Sequence, residues 1–296
     1  MLILDHALVA RIEAASAAHE VAVAAHLSGA VVVPMAGGYA VLLGAGRYVN
    51  RAFGLGFAGA VTHDDLAALE AASIAAGVPA EIEACPWADA SLFTVAGGRG
   101  YAASWFRTQL ARRCSEGADH TGDDERRQRV RRGPDARDGV AVPFISTLRS
   151  WDEDRTSTVQ VSQVDDAATL RVWQDTIGAD IVDAERRAIS DEYSGASRAN
   201  PATTHYIARI DGAPVGVARL SVVDGVGLLG AMATIPSARG RGVQSELIRH
   251  RLNAAAYLGC DVAVATTVPA GTSERNLRRA GFEVVCTKVG LRLPPR

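Results

Sequence analysis

In the second half of the chain, short apolar runs alternate with longer stretches in which apolar positions recur every three to four residues, and each spacing predicts its own kind of element. Thr158 to Val164 reads as a strand, and Ala167 to Ile177 and Val182 to Tyr193 read as helices. Tyr206 to Val222 holds two apolar runs about Asp211-Gly212, the pattern of a β-hairpin, and Val226 to Ile235 follows as a further strand. From Gly242 to Leu258, Val243, Leu247, Leu252 and Ala255 share one helical face, and Gly259 supplies the left-handed residue that ends such a helix. A strand at Val262 to Ala265, a short helix, Gly281-Phe282 and a last strand complete a β-α-α-β-β-β-α-β-α-β order.

The first half repeats part of this order. Val31 to Leu43 has hairpin spacing around Gly37-Gly38, Gly77 ends a helical run, Ala80 to Ala84 is a strand, and Gly100-Tyr101 opens another after a short helix. Gly77 to Gly100 spans 23 residues and Gly259 to Gly281 spans 22, so the pattern predicts two copies of one α/β (α+β) unit with mostly antiparallel strands. Between them, Arg112 to Gly139 is dense in charge, with Asp123-Asp124-Glu125 beside Arg126-Arg127 and the arginines of Arg129 to Arg132. That composition predicts a solvated linker or surface loop.

The chain has 296 residues, and 48% apolar content is enough for two cores. A net charge of −2 gives no global basic field for nucleic acid or anionic lipid, and the arginine run is interleaved with acids and lacks aromatics. Cys85, Cys114, Cys260 and Cys286 form no close sequence pairs and the histidines are scattered, so no metal cluster or disulfide framework is expected. The cysteines read as buried thiols of a cytoplasmic protein. Ser28 to Gly46 is uncharged, but Pro34 and Gly37-Gly38 break it, and the first residues lack a basic stretch followed by an apolar block. Neither a membrane helix nor a secretory signal is expected.

The run Ile235-Pro236-Ser237-Ala238-Arg239-Gly240-Arg241-Gly242-Val243 leaves a strand and opens a helix. Glycine lets backbone approach a diphosphate, the first N–H groups of a helix lack internal partners, and Arg239 and Arg241 add positive charge. A flexible polar helix entry would look the same, and on these residues alone both readings stand.

With Ser273-Glu274-Arg275-Asn276 and Arg279-Ala280-Gly281-Phe282 downstream, the run resembles the GNAT superfamily of acyl-CoA-dependent N-acetyltransferases over roughly Thr158 to Leu293. The resemblance implies two GNAT-like domains, each a mixed, mostly antiparallel sheet flanked by helices: 1–111 degenerate, 112–155 a charged linker and 156–296 catalytic. It implies acetyl transfer from acetyl-CoA to a primary amine of a small molecule by direct attack, with no metal. Cofactor contacts are then expected at Ile235, Arg239, Gly240, Arg241, Gly242, Val243, Ser273 and Asn276, with backbone at Met232, Ala233 and Thr234 on the thioester. Ser273 reads equally as a helix N-cap, and Asn276 as a solvent-facing amide.

Two positions depart from the family pattern. Ser237 stands where Gln or Arg is frequent, and Leu277 where many members place an acid tyrosine, leaving Tyr257 and Cys286 as the nearest substitutes. For the base, Glu192 is the first candidate, beside Asp191, His205 and Tyr206, while Trp173 and Tyr193 are candidates to line an acceptor pocket. In the first half the equivalent turn near Gly59 to Asp65 carries Asp64 and Asp65, which repel a pyrophosphate. A non-catalytic acyl-CoA-binding or regulatory protein is the alternative, whereas a nucleotide module lacks its Walker lysine and G-x-G-x-x-G run. The sequence leaves the acceptor, the acyl-chain preference and the choice between monomer and homodimer open.

Overall fold

A computed structural model describes residues 2–114 and 158–294, so the arginine run and most of the charged linker lie outside the described residues. The first unit runs α1 (His6–Ala24), β1 (Val31–Met35), β2 (Gly38–Leu42), β3 (Asn50–Phe53), α2 (His63–Ala75), β4 (Glu81–Ala84), α3 (Ser91–Gly98) and β5 (Ala102–Arg113). The second runs β6 (Val159–Gln163), α4 (Ala167–Ile177), α5 (Ala184–Ala199), β7 (Thr203–Ile210), β8 (Ala213–Val223), β9 (Val226–Thr234), α6 (Val243–Tyr257), β10 (Val262–Thr267), α7 (Thr272–Arg279) and β11 (Glu283–Arg292).

The expected order of the second half matches element for element. The helix expected over Val182 to Tyr193 begins later and continues to Ala199, because Asp183 caps it by accepting the Arg186 N–H. The expected boundary at 111 falls inside β5, whose pairing with β10 continues to Arg113. Periodicity missed α1, an alanine-rich helix with little contrast between its faces, and β3, which is only four residues long.

All eleven strands form one sheet in the order β1-β2-β3-β4-β11-β5-β10-β9-β8-β7-β6. The elements from β1 to β5 repeat those from β7 to β11, and the repeats exchange their last strands. β5 of the first unit lies between β10 and β11, and β11 of the second lies between β4 and β5. Each unit's sheet is therefore completed by the other.

A buried ion cluster joins the exchanged strands. Lys288 of β11, the only lysine, reaches Glu13 of α1 and Glu83 of β4 at 2.8 Å each, and Gln109 of β5 donates to Glu13. Removing one partner from such a buried pair leaves an uncompensated charge and costs several kcal/mol, on the order of 3–5. The exchange also brings Cys85 and Cys286 to 3.7 Å between sulfurs. Among the described residues no helix is long and apolar enough to cross a membrane, and no group of three His, Cys, Asp or Glu side chains is arranged to hold a metal.

Candidate functional site

The second unit opens where β9 and β10 part. These parallel strands pair from Val226–Val262 to Leu229–Ala265 and then diverge, leaving Gly230 to Thr234 half-buried with a partner only on the β8 side. A bulge lies at the parting. Arg219 pairs with Gly230 and Val217 with Ala233, so Ala231 and Met232 face Ala218 together, and Ala231 takes a left-handed φ of 43°. Met232, Ala233 and Thr234 thus lie on a backbone edge that β10 leaves unpaired.

Arg251 of α6 holds that bulge from beneath. The residue is 1% exposed, and its guanidinium donates to the carbonyls of Leu247 (2.9 Å), Arg219 (3.1 Å) and Gly230 (3.3 Å) and to the Met232 sulfur (3.0 Å). Desolvation lowers its pKa to about 9, which leaves it a cation at neutral pH. Carbonyl dipoles balance the charge, and among the described residues no carboxylate pairs with it.

Beyond Thr234, the Ile235 N–H returns to Val215, a 3-10 turn over Pro236–Ala238 buries Ala238, and the glycine run follows. Gly240 and Gly242 have φ of 78° and 80°, and a Cβ built on either meets no protein atom within 4 Å. The positive φ explains the glycines, and the open space leaves the turn accessible. Gly242 is the N-cap of α6 and gives no side-chain cap, and the N–H groups of Val243, Gln244 and Ser245 have no partner among the described residues. Val243 is buried under the turn, while Arg241 is exposed and has no ion pair among the described residues. Arg239 pairs with Asp180 at 3.1 Å, and both side chains are mostly exposed.

Asn276 faces the same helix start. Its amide donates to Gln244 at 2.6 Å and accepts from Arg279 at 2.8 Å, so it bridges α7 to α6. Ser273 lies one residue inside α7, whose N-cap is Gly271, so the N-cap reading of Ser273 is corrected. Leu277 is 2% exposed in the core shared with Leu247 and Phe282, which fills the place of a tyrosine with packing.

The base candidates disperse. Glu192 pairs with Arg47 of the first unit at 2.9 Å, and Asp191 is held by Arg171 and Arg187. Tyr206 faces the opposite side of the sheet, edge-on to His250, where burial raises its pKa. His205 lies beneath Trp173, and burial followed by the Arg219 charge pulls its pKa down to about 3. Trp173 is a core residue, with its indole N–H on the Ala218 carbonyl. Tyr193 instead donates its hydroxyl to Glu20 of α1 at 2.8 Å. Of the two acid substitutes, Tyr257 is 37% exposed and Cys286 is buried beside Cys85, which drives its thiol strongly up.

Sequence reasoning missed Glu20, Arg219 and Arg251. Glu20 and Arg219 interrupt mainly apolar runs (AAHEVAV and GVARLSVV), and that interruption was the available signal, whereas Arg251 stands beside Arg249 and His250 and leaves no such mark.

Residues 169–282 match the family model described as the Acetyltransferase (GNAT) family. The second unit is a GNAT domain. Similar solved structures extend the likeness in fold to the whole chain. A GCN5-related N-acetyltransferase from Kribbella flavida is 18% identical with a TM-score of 0.64, covering 97% of this chain and 96% of its own. A tandem GNAT protein from the clavulanic acid biosynthesis pathway is 13% identical with a TM-score of 0.56, covering 98% and 95%. A functionally unknown conserved protein from Staphylococcus epidermidis is 8% identical with a TM-score of 0.51, covering 87% and 85%. No curated protein matches by sequence. The GNAT domain thus sits in a tandem GNAT fold, and its family is one of acetyltransferases.

Proposed function

We propose that the protein is an N-acetyltransferase whose second unit binds acetyl-CoA and transfers the acetyl group to a primary amine of a small molecule. The observation that carries this reading is the start of α6, where three N–H groups without a partner among the described residues follow two positive-φ glycines and Arg241, and a Cβ on either glycine would meet no protein atom within 4 Å. That donor set suits a pyrophosphate, with helix amides and guanidinium supplying charge-assisted hydrogen bonds. Arg239 would exchange Asp180 for a phosphate, and Asn276 would reach the pantetheine arm only by giving up Gln244.

The parted edge of β9 suits the thioester. A backbone N–H within Met232 to Thr234 would polarise the carbonyl, and Arg251 keeps that edge in place through the bulge. The neutral amine attacks directly: the C–N bond forms, the C–S bond breaks, the thiolate leaves with its electron pair, and the nitrogen gives up its extra proton to water. Buried Leu277 supplies no proton, which suits a leaving group that persists as thiolate.

The first unit binds no CoA in this reading, since Asp64 and Asp65 open α2. Thiol release from acetyl-CoA over a panel of amines tests the whole proposal. Leu277 also favours a second reading, a protein that binds acyl-CoA without turning it over. Tight binding by calorimetry with no thiol release across the panel would decide for that.

A further inference from the structure

We propose that Cys85 and Cys286 are a redox pair, which hydrogen peroxide converts to a disulfide that fastens the two units together. The proposal is independent of the acetyl-transfer reading.

Cys85 follows β4 of the first unit, and Cys286 lies in β11, the strand that the second unit inserts between β4 and β5. Their sulfurs are 3.7 Å apart across 201 residues of chain, and the residues are 2% and 8% exposed. β4 and β11 pair antiparallel from Glu81–Arg292 to Ala84–Val289, and the thiols meet just past the Ala84 end. There β11 bulges. Val284 pairs with Leu110 and Cys286 with Gln109, so Val285 has no partner on β5, and its carbonyl accepts the Trp87 indole N–H at 3.4 Å. A disulfide needs the sulfurs to close to about 2 Å, and an interrupted ladder lets Cys286 shift more readily than a regular one does.

The surroundings separate this pair from the other two cysteines. The Cys286 thiol can donate to Cys85 or, at 3.8 Å, to Gln109 Oε1. A hydrogen bond from Cys286 favours the Cys85 thiolate and lowers its pKa in spite of burial, and the same bond drives that of Cys286 up. Cys114 and Cys260 are both pushed up to about 12, first by burial. The thiolate, not the thiol, is the nucleophile, so Cys85 is the sulfur that reacts.

The Cys85 thiolate attacks one peroxide oxygen, the O–O bond breaks, and Cys85 sulfenic acid and hydroxide form. The hydroxide takes up the proton that Cys85 had released. The Cys286 sulfur then attacks the Cys85 sulfur: the S–S bond forms, the S–O bond breaks, and the oxygen leaves as water with the Cys286 proton. Two thiols thus lose two electrons, and one peroxide becomes two waters. The burial of both sulfurs admits an oxidant little larger than water and disfavours a bulky disulfide oxidant.

In the reduced protein the exchanged strand is held by charge, through Lys288 with Glu13 and Glu83. A disulfide adds a bond between the units that survives protonation of those carboxylates, and it closes a long loop, which restricts the unfolded chain.

The test treats the full-length protein with hydrogen peroxide, alkylates it in denaturant and reads thiols and cross-links by mass spectrometry. A loss of about 2 Da within a single chain is expected, with one cross-linked peptide joining Cys85 to Cys286 and with Cys114 and Cys260 still alkylated. The oxidised protein is expected to melt roughly 5–10 °C higher and to return to its starting temperature with dithiothreitol. Cys85→Ser and Cys286→Ser should each abolish both changes, and wild-type protein alone suffices if either variant fails to fold. Both thiols still free after peroxide, sulfinic acid at Cys85 without a cross-link, or a disulfide within any other pair overturns the assignment. A Cys85–Cys286 disulfide that leaves the melt unchanged or lower overturns the fastening of the units.

Discussion

At the start of α2, the Thr62 hydroxyl accepts the Asp65 N–H and the Asp65 carboxylate accepts the Thr62 N–H, a closed capping box with Asp64 beside it. At the start of α6, the topological counterpart, Gly242 offers no side chain, and the first three N–H groups have no partner among the described residues. The two helices occupy equivalent places after β3 and β9, so the repeat preserved the scaffold and divided the chemistry. A capped helix start is more stable and useless to an anion; an uncapped one gives up about 1 kcal/mol and gains a binding site.

The two units share one sheet and should unfold as one body, and acid should test that with the largest effect. His205 titrates at about 3 in the folded protein and near 6.5 unfolded, and His19 is likewise lowered by burial. The unfolded chain binds these protons first, so stability rises with pH in this window and is lost as pH falls below 6.5. The slope is about 1.4 kcal/mol per pH unit for each histidine. Denaturant melts from pH 7 to 4 should show one transition, shallower in His205→Phe; two separate transitions would divide the units.

Next in size is moving the closed chemistry onto the open helix. Ser245 occupies the N3 position that Asp65 holds in α2. Ser245→Asp should weaken acetyl-CoA binding about 100-fold, roughly 2.7 kcal/mol, while raising helix stability by a few tenths. Calorimetry and a thermal melt on one sample check both signs, and unchanged CoA affinity would remove the pyrophosphate from α6.

Gly240→Ala should act more mildly. The added methyl meets no protein atom, so the cost is backbone strain of about 1–2 kcal/mol at φ 78°, with the acetyl-CoA KM rising and that of the amine unchanged. Smallest is the reverse experiment: Thr62→Ala should cost about 1 kcal/mol of stability and confer no second CoA site. A binding stoichiometry of two would show that the capping box alone had closed the first unit.

The sequence by itself determined what local chemistry determines. Alternation placed β6 to β11, three-to-four spacing placed α4 and α6, and the turn at Gly240 and Gly242 was legible because positive φ is a property of the residue and its neighbours. The acids at 64 and 65 were equally plain. What the tertiary structure decided has no local signature. Lys288 meets Glu83 across 205 residues and Tyr193 meets Glu20 across 173, so neither pairing leaves a pattern in any window of sequence. The exchange of β5 and β11 and the Arg251 bracket under the bulge depend on which strand lies beside which. Pairing of that kind is settled by burial of the whole sheet, after each strand's own pattern has been satisfied.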